Sequence, residues 1–339
     1  MDLSPLAGQI MGGIKSTILS LLGGGCLFMS CVVSAAPAET LSLEEFFSRS
    51  NPTFDPAEGF YVTGELPKRK NSTDSQMVIA AGSTHTCYLS NGSINCFGDN
   101  EVGQLDAPPV QNARQVSAGY DFSCALDDLG VTCWGDDSRG QLQAPVTIDA
   151  LQVATGGRHG CVLDGAVVNC WGWDFNGQAT VPELINPTQV SAGLYHSCAL
   201  DETGVVCWGA NYYGQTDVPE LINPVFISSG LSNHSCAVDD TGVVCWGDNQ
   251  FQQAIDLDTV RPTTVSVGYS HSCALDDSGV TCWGRNHLGQ SEVPELVGPR
   301  QVVVGGNNSC AQDATGLVCW GYIGEERSSL PGIGELPAE

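Results

Sequence analysis

The sequence predicts an all-β, seven-bladed β-propeller made of seven repeats of about 37 residues, with one hairpin disulfide per blade. Three observations carry this. Fourteen of the 16 cysteines fall in seven pairs with a step of nine inside each pair: Cys87/Cys96, Cys124/Cys133, Cys161/Cys170, Cys198/Cys207, Cys236/Cys245, Cys273/Cys282 and Cys310/Cys319. The pairs recur at a step of 37, once at 38. Between the two cysteines, apolar runs flank turn-forming residues, which is the signature of an antiparallel hairpin.

The chain opens with an export segment. No charge occurs from Ser16 to Ala38, the run Ile18 to Val33 is mostly apolar, and Ser34, Ala35, Ala36 and Ala38 follow. This is the pattern of a signal peptide over residues 1–38, cleaved after Ala35 or Ala38. The alternative is an uncleaved anchor, because the run is nearly long enough to span a bilayer. Cleavage removes Cys26 and Cys31 and leaves no membrane span. Residues 39–76, with Pro52, Pro56, Pro67 and Lys68-Arg69-Lys70, read as a leader or linker. The propeller is expected over 77–336, with a tail at 337–339.

The unit around Cys273 shows the internal logic. A short apolar run ends at Gly268; His-Ser-Cys-Ala-Leu (271–275), Asp-Asp-Ser-Gly (276–279) and Val-Thr-Cys-Trp-Gly (280–284) follow. Pairing the strands across that turn opposes Cys273 to Cys282 and Leu275 to Val280. Alternation puts these four on one face and Ala274 with Trp283 on the other. Both faces are largely apolar, so neighbouring blades must cover both. Opposed cysteines on a hairpin lie within disulfide reach. Zinc sites favour spacings of two to four, so a step of nine favours disulfides over metal. Each closes a loop of about ten residues, worth roughly 2–3 kcal/mol in the chain-entropy model. In the fifth unit the extra residue lies just before the first Cys, since Gly230 stands six residues before Cys236 where Gly193 stands five before Cys198.

The recurring pattern His-Ser-Cys-Ala-Leu, Gly-Val-x-Cys-Trp-Gly, x-Asn-x-x-Gly-Gln, Val-Pro resembles the repeat of the regulator of chromosome condensation family. It looks most like the secreted bacterial branch, which includes a protein inhibitor of β-lactamases. Trp-Gly recurs at Trp134, Trp171, Trp208, Trp246, Trp283 and Trp320, with Phe97 in the first unit. Gly-Gln recurs from Gly103, Gly140, Gly177, Gly214 and Gly289. The fifth unit departs, with Gln252-Gln253 for Gly-Gln and Leu257 where six units have Pro; the seventh lacks Gly-Gln. The resemblance implies a seven-bladed propeller and a role in binding another protein, including inhibition of a secreted enzyme.

Composition narrows the partner. The chain carries 38 acidic and 12 basic residues, a net charge of −26. Residues 77–322 hold 26 acidic residues and six arginines, so 6 − 26 = −20. Such a surface repels nucleic acid and steers cationic partners toward it. The apolar fraction of 42% is enough for a packed core.

No nucleophile, phosphate-loop or helical zinc motif occurs. His85, His159, His196, His234 and His271 share one repeat position and read as structural hydrogen-bonding groups rather than catalysts; His287 stands alone in a loop. Asp127-Asp128, Asp239-Asp240 and Asp276-Asp277 are turn residues by type. Asp136-Asp137 and Asp248-Asn249 lack the ligand spacing of a calcium loop. No cofactor and no metal are expected.

Strand alternation places the loop before His-Ser-Cys and the loop after Trp-Gly on one face. That face is expected to collect Tyr120, Phe122, Trp173, Phe175, Tyr195, Tyr212, Tyr213, Phe251 and Tyr269, with Asp121, Asp136, Arg139, Arg158 and Arg285 among them. Aromatics and Arg dominate binding hot spots, and loops on rigid scaffolds carry recognition. A share of these rings is expected to pack between blades. The reading is a secreted monomer, extracellular or periplasmic, that binds a protein or glycan partner through this face without catalysis, and is cell-surface anchored if the signal stays uncleaved. The alternative is a glycan hydrolase or lyase with two carboxylates in a propeller cleft.

Overall fold

The computed structural model describes residues 77–257 and 261–322, together with a separate two-stranded pair, Thr53–Phe54 and Tyr61–Val62. The signal segment, most of the leader, Cys26, Cys31 and the end of the seventh unit from residue 323 lie outside the described residues. Among the described residues no helix is long and apolar enough to cross a membrane.

Seven three-stranded antiparallel sheets follow one another in chain order. Blade one holds Val78–Ala81, His85–Ser90 and Ser93–Gly98; blade two Gln115–Ala118, Phe122–Asp127 and Gly130–Gly135. Blade three holds Ala150–Thr155, His159–Asp164 and Val167–Gly172; blade four Gln189–Ala192, His196–Asp201 and Gly204–Gly209. Blade five holds Phe226–Ser229, His234–Asp239 and Gly242–Gly247; blade six Thr264–Val267, His271–Asp276 and Gly279–Gly284. Blade seven holds Gln301–Val304, Asn308–Asp313 and Gly316–Gly321. The first strands of successive blades pack side by side around the ring, and that of blade seven packs against that of blade one.

The hairpin register is the expected one. Cys273 opposes Cys282 and Leu275 opposes Val280, and the same pairing holds in every blade. All seven expected disulfides are formed: Cys87–Cys96, Cys124–Cys133, Cys161–Cys170, Cys198–Cys207, Cys236–Cys245, Cys273–Cys282 and Cys310–Cys319, with S–S distances between 2.02 and 2.10 Å. The two sulfurs of a pair are not equally covered. The first cysteine, on the middle strand, is buried in every blade. The second lies on the outer strand, which has a neighbour on one edge only. Cys96, Cys133, Cys170, Cys207 and Cys282 are accordingly half-buried, and Cys245 and Cys319 are buried.

Both hairpin faces are covered. Cys273 and Leu275 of blade six lie in one cluster with Val302, Val304, Ala311 and Trp320 of blade seven. The core is therefore a series of layers between blades, each fed by the Cys/Leu face of one blade and the Val/Ala/Trp face of the next.

Polar groups join the blades as regularly as apolar ones. His159 Nε2 donates to Ser197 Oγ at 2.9 Å; Ser197 Oγ donates to the Gln178 carbonyl at 2.9 Å, which also accepts the Trp208 indole N–H at 2.9 Å. Because the serine hydrogen is committed to the carbonyl, the histidine must carry its proton on Nε2. The His–Ser contact recurs at His85–Ser123, His196–Ser235, His234–Ser272 and His271–Ser309. The five histidines are thus buried fasteners, and burial pushes their pKa values down, to about 4 for His85, His159 and His271 and about 3 for His196 and His234.

The ring closes by the same bonds. Asn308 of blade seven stands in the histidine position and donates to Thr86 Oγ1 of blade one at 3.1 Å. Gln301 Nε2 reaches the Ile79 carbonyl at 3.3 Å, repeating the Gln115–Val153 and Gln189–Ile227 links. The extra residue of the fifth unit also has a local consequence: Ser232 lies in the lengthened loop and its hydroxyl bonds His234 Nδ1. The corresponding nitrogens of His85, His159, His196 and His271 are buried without a partner.

Candidate functional site

Two loops per blade build one face. The loop after Trp-Gly is tied to the loop before the middle strand of the same blade: Asp136 N–H donates to the Asp121 carbonyl, Trp173 to Arg158, Ala210 to Tyr195 and Arg285 to Ser270, at 2.8–2.9 Å. The inner loops are tied from blade to blade, with Tyr120 N–H on the Gly156 carbonyl, Gly157 on Gly193 and Tyr269 on Gly305. The Gly-Gln motif fixes the outer loops. Each Gln is buried, and its side-chain carbonyl accepts the backbone N–H two residues back, as Gln178 does from Asn176 and Gln215 from Tyr213. Side chains on these loops therefore stand on a hydrogen-bonded belt.

The expected face residues separate into three groups. The largest cluster crosses blades two to four. The Arg139 guanidinium lies 5.4 Å from the Trp173 ring, Tyr195 meets Trp173 edge-on at 5.4 Å, and Phe175 stands 6.4 Å away. Phe175 and Tyr212 are 80% and 72% exposed, and Tyr212 donates to Asn176 Oδ1 across the blade boundary at 2.9 Å. Tyr213 is exposed beside it. A second, smaller cluster on blades five and six pairs Arg285 with the Phe251 ring at 4.9 Å, and Tyr269 is exposed on the neighbouring loop.

The third group is acidic. Burial first, then the Asp136 charge, raises the pKa of Asp121, against the opposing pull of Arg158; Asp99 and Glu101 push it further up. Asp136 goes the other way: partial burial would raise it, but hydrogen bonds from Ser138 and Gln141 hold it below the usual carboxylate range. Tyr120, Asp121 and Arg158 are half-buried.

Phe122 is a correction. It is fully buried in the position that carries histidine in five other blades, so it does not reach the face. Alternation along the strand puts Phe122 on the face of Cys124 and Leu126, inside the layer between blades two and three, whereas Tyr120 and Asp121 lie on the loop before the strand.

Sequence reasoning missed the glutamine of Gly-Gln as the organiser of the face. Its recurrence was visible, but only the folded interface shows one residue holding both its own loop and the next blade's tryptophan. Among the described residues no group of three or more acidic, His or Cys side chains is arranged to hold a metal ion.

The family model described as the regulator of chromosome condensation (RCC1) repeat matches residues 78–104, 113–141, 188–215, 225–253 and 263–290. No curated protein matches the chain in sequence. Among solved structures, the ectodomain of the Arabidopsis thaliana receptor kinase ACR4 is similar at a TM-score of 0.61 and 23% identity, over 76% of this chain and 98% of that one. The entire ectodomain of the Physcomitrella patens receptor kinase CR4 gives 0.60 and 23%, over 73% and 74%. Prp20p of Saccharomyces cerevisiae, described with its binding to Gsp1p and histones, gives 0.57 and 19%, over 69% and 81%. At these identities the likeness establishes the fold.

Proposed function

This chain is a regulator of chromosome condensation (RCC1) repeat protein, and from that premise we propose that it is an exported scaffold that captures a protein partner through the loop face of blades two to four. The observation that carries the reading is the Trp173 cluster: Arg139, Phe175, Tyr195 and Tyr212 gathered on loops whose backbones are tied together within and between blades. Rigid, exposed aromatics beside Arg give large contact area at low ordering cost. Seven disulfides fit an oxidising compartment, and Prp20p is described as a protein binder on the same fold. The net charge of −20 over residues 77–322 favours a basic partner. A specific form of the reading is inhibition of a secreted enzyme.

The test is capture from culture supernatant by the purified mature chain, with Phe175→Ala/Tyr212→Ala as the control. The double variant should lose capture of the recovered partner about tenfold or more, while its melting temperature moves by less than about 2 °C, because neither ring is buried. A large fall in melting temperature would return those rings to the fold and remove the reading. Adding the recovered partner's own activity assay tests the inhibitor form.

A second reading, a glycan hydrolase or lyase, draws on Asp121 and Asp136, whose environments push their pKa values apart as an acid–base pair requires. Asp136 is, however, occupied as a loop cap: Oδ1 accepts the Ser138 N–H, and Oδ2 accepts Ser138 Oγ and Gln141 Nε2. Loss of glycan turnover in Asp121→Asn, with partner capture intact, would favour the enzyme.

A further inference from the structure

The opposite face of the ring carries the hairpin turns, and there the repeat obeys strict local rules. In blades four, five, six and seven the first Asp of the turn accepts the hydroxyl of a Thr or Ser two residues on: Thr203, Thr241, Ser278 and Thr315. The residue after it is glycine at positive φ, from 117° to 132°. Blades one, two and three depart from these rules, and those of two and three do so in adjacent places. Leu129 replaces the hydroxyl residue in blade two, and its side chain is 77% exposed. Val167 replaces the glycine in blade three and is exposed. The first strand of blade three is six residues long where the others have four, and its register slips between Leu163 and Asp164, leaving Leu151 as an outward-facing bulge residue. The segment before it exposes Val146 to 97% and Ile148 to 98%.

These five apolar side chains belong to one place. A Cβ on Gly130, beside Leu129, would stand 2.7 Å from Thr147 Oγ1. Asp164, at the start of the blade-three turn, accepts the N–H of Ile148 and of Asp149, and Gly165 N–H donates to the Asp149 carbonyl. Arg114 Nη2 reaches both the Asp127 and the Ala150 carbonyls, joining the blade-two turn to the bulged strand. The family model passes over the third unit, between 141 and 188, as it does the seventh, after 290. The turn of blade one also departs, as Ser90-Asn91-Gly92-Ser93, but it exposes only polar residues and glycine. In blades two and three the departures and the bulge leave branched apolar side chains exposed together, which marks a used surface.

We propose that the rim formed by Leu129, Val146, Ile148, Leu151 and Val167 is a second docking surface, separate from the loop face, for a protein segment that presents aliphatic side chains framed by Lys or Arg. The charge chooses the occupant. Asp128 and Asp149 are exposed at its border, and the propeller as a whole carries −20, so a second copy of the chain or an anionic membrane would be repelled where a basic amphipathic segment is drawn in.

The test uses the full mature chain and two synthetic amphipathic peptides of the same length, one alternating Leu with Lys and the other Leu with Glu, read by fluorescence anisotropy. The comparison variant is Leu129→Thr/Val146→Thr/Ile148→Thr. The threonine at 129 supplies the hydroxyl bond that the turns of blades four to seven make, so the variant is expected to melt no lower than the parent. Leu/Lys peptide should bind the parent, lose about tenfold or more in affinity for the variant and weaken as salt rises, while the Leu/Glu peptide stays unbound. Equal binding of both peptides, or of the Leu/Lys peptide to both proteins, would overturn the proposal. So would concentration-dependent dimerisation of the parent, seen by sedimentation and absent in the variant, which would make a second copy the occupant. Partner capture by the loop face should be the same in both proteins, so the two surfaces fail or succeed separately.

Discussion

Position 122 carries phenylalanine where five blades carry histidine, and position 160, its facing residue in blade three, carries glycine where five blades carry serine. The two departures compensate each other. An apolar ring needs no hydroxyl partner, and the space a serine would fill is taken by Trp171, whose ring would lie 2.4 Å from a Cβ at 160. Phe122→His alone should therefore cost about 1–3 kcal/mol, because a buried imidazole N–H is left without an acceptor. Adding Gly160→Ser should recover part of that loss, to the extent Trp171 yields. A urea-denaturation double-mutant cycle with no coupling between the two sites would reject this account. Phe97 in blade one follows the same logic. The sequence of the seventh unit offers no Gly-Gln carbonyl, and phenylalanine has no indole N–H to satisfy.

Blade five shows how an element absorbs a departure from its motif. Gln252 sits at φ 63° where the other Gly-Gln units place glycine at 74–81°. The loop keeps its shape because Gln253, the second residue, still accepts the Phe251 N–H and the Trp283 indole. Gln252→Gly should raise stability by roughly 0.5–1 kcal/mol, a gain from relieved left-handed strain reduced by the looser unfolded chain. No rise in the urea midpoint would mean that the side chain of Gln252 makes a compensating contact. Leu257 in the same blade replaces a proline, and its N–H donates to the Val243 carbonyl at 2.9 Å while its carbonyl accepts in return at 3.1 Å. Proline cannot make the first of these bonds, so the substitution adds a rung to the blade edge.

Across the whole molecule, five neutral histidines buried between blades make the ring sensitive to acid. The unfolded chain takes up protons on these rings as pH falls below about 6.5, whereas the folded chain resists until about 3–4. Stability is therefore complete above about pH 6.5 and declines through the window below it, by about 1.4 kcal/mol per ring per pH unit. The lowered carboxylates Asp201, Asp239 and Asp313, held down by turn hydrogen bonds against the upward push of burial, extend the decline below their ordinary range. Melting temperature should be level above about pH 6.5 and fall steadily from there to about pH 4.5; a flat profile across that window would show that the rings are hydrated and charge without loss. The seven disulfides are silent to this titration and hold each hairpin while the interfaces weaken.

The blade count, the Cys pairing, the hairpin register and the placement of two loop sets on one face were legible in the sequence, because each is set by local spacing: a step of nine across a turn and a period of two along a strand. The inward turn of Phe122, the closing contact of Asn308 with Thr86, the double duty of the Gly-Gln glutamine and the apolar rim of blades two and three were not. Each depends on which side chain of one repeat meets which side chain of the next. That pairing exists only once the strands have curved into a ring and brought residues 30 to 222 positions apart into contact.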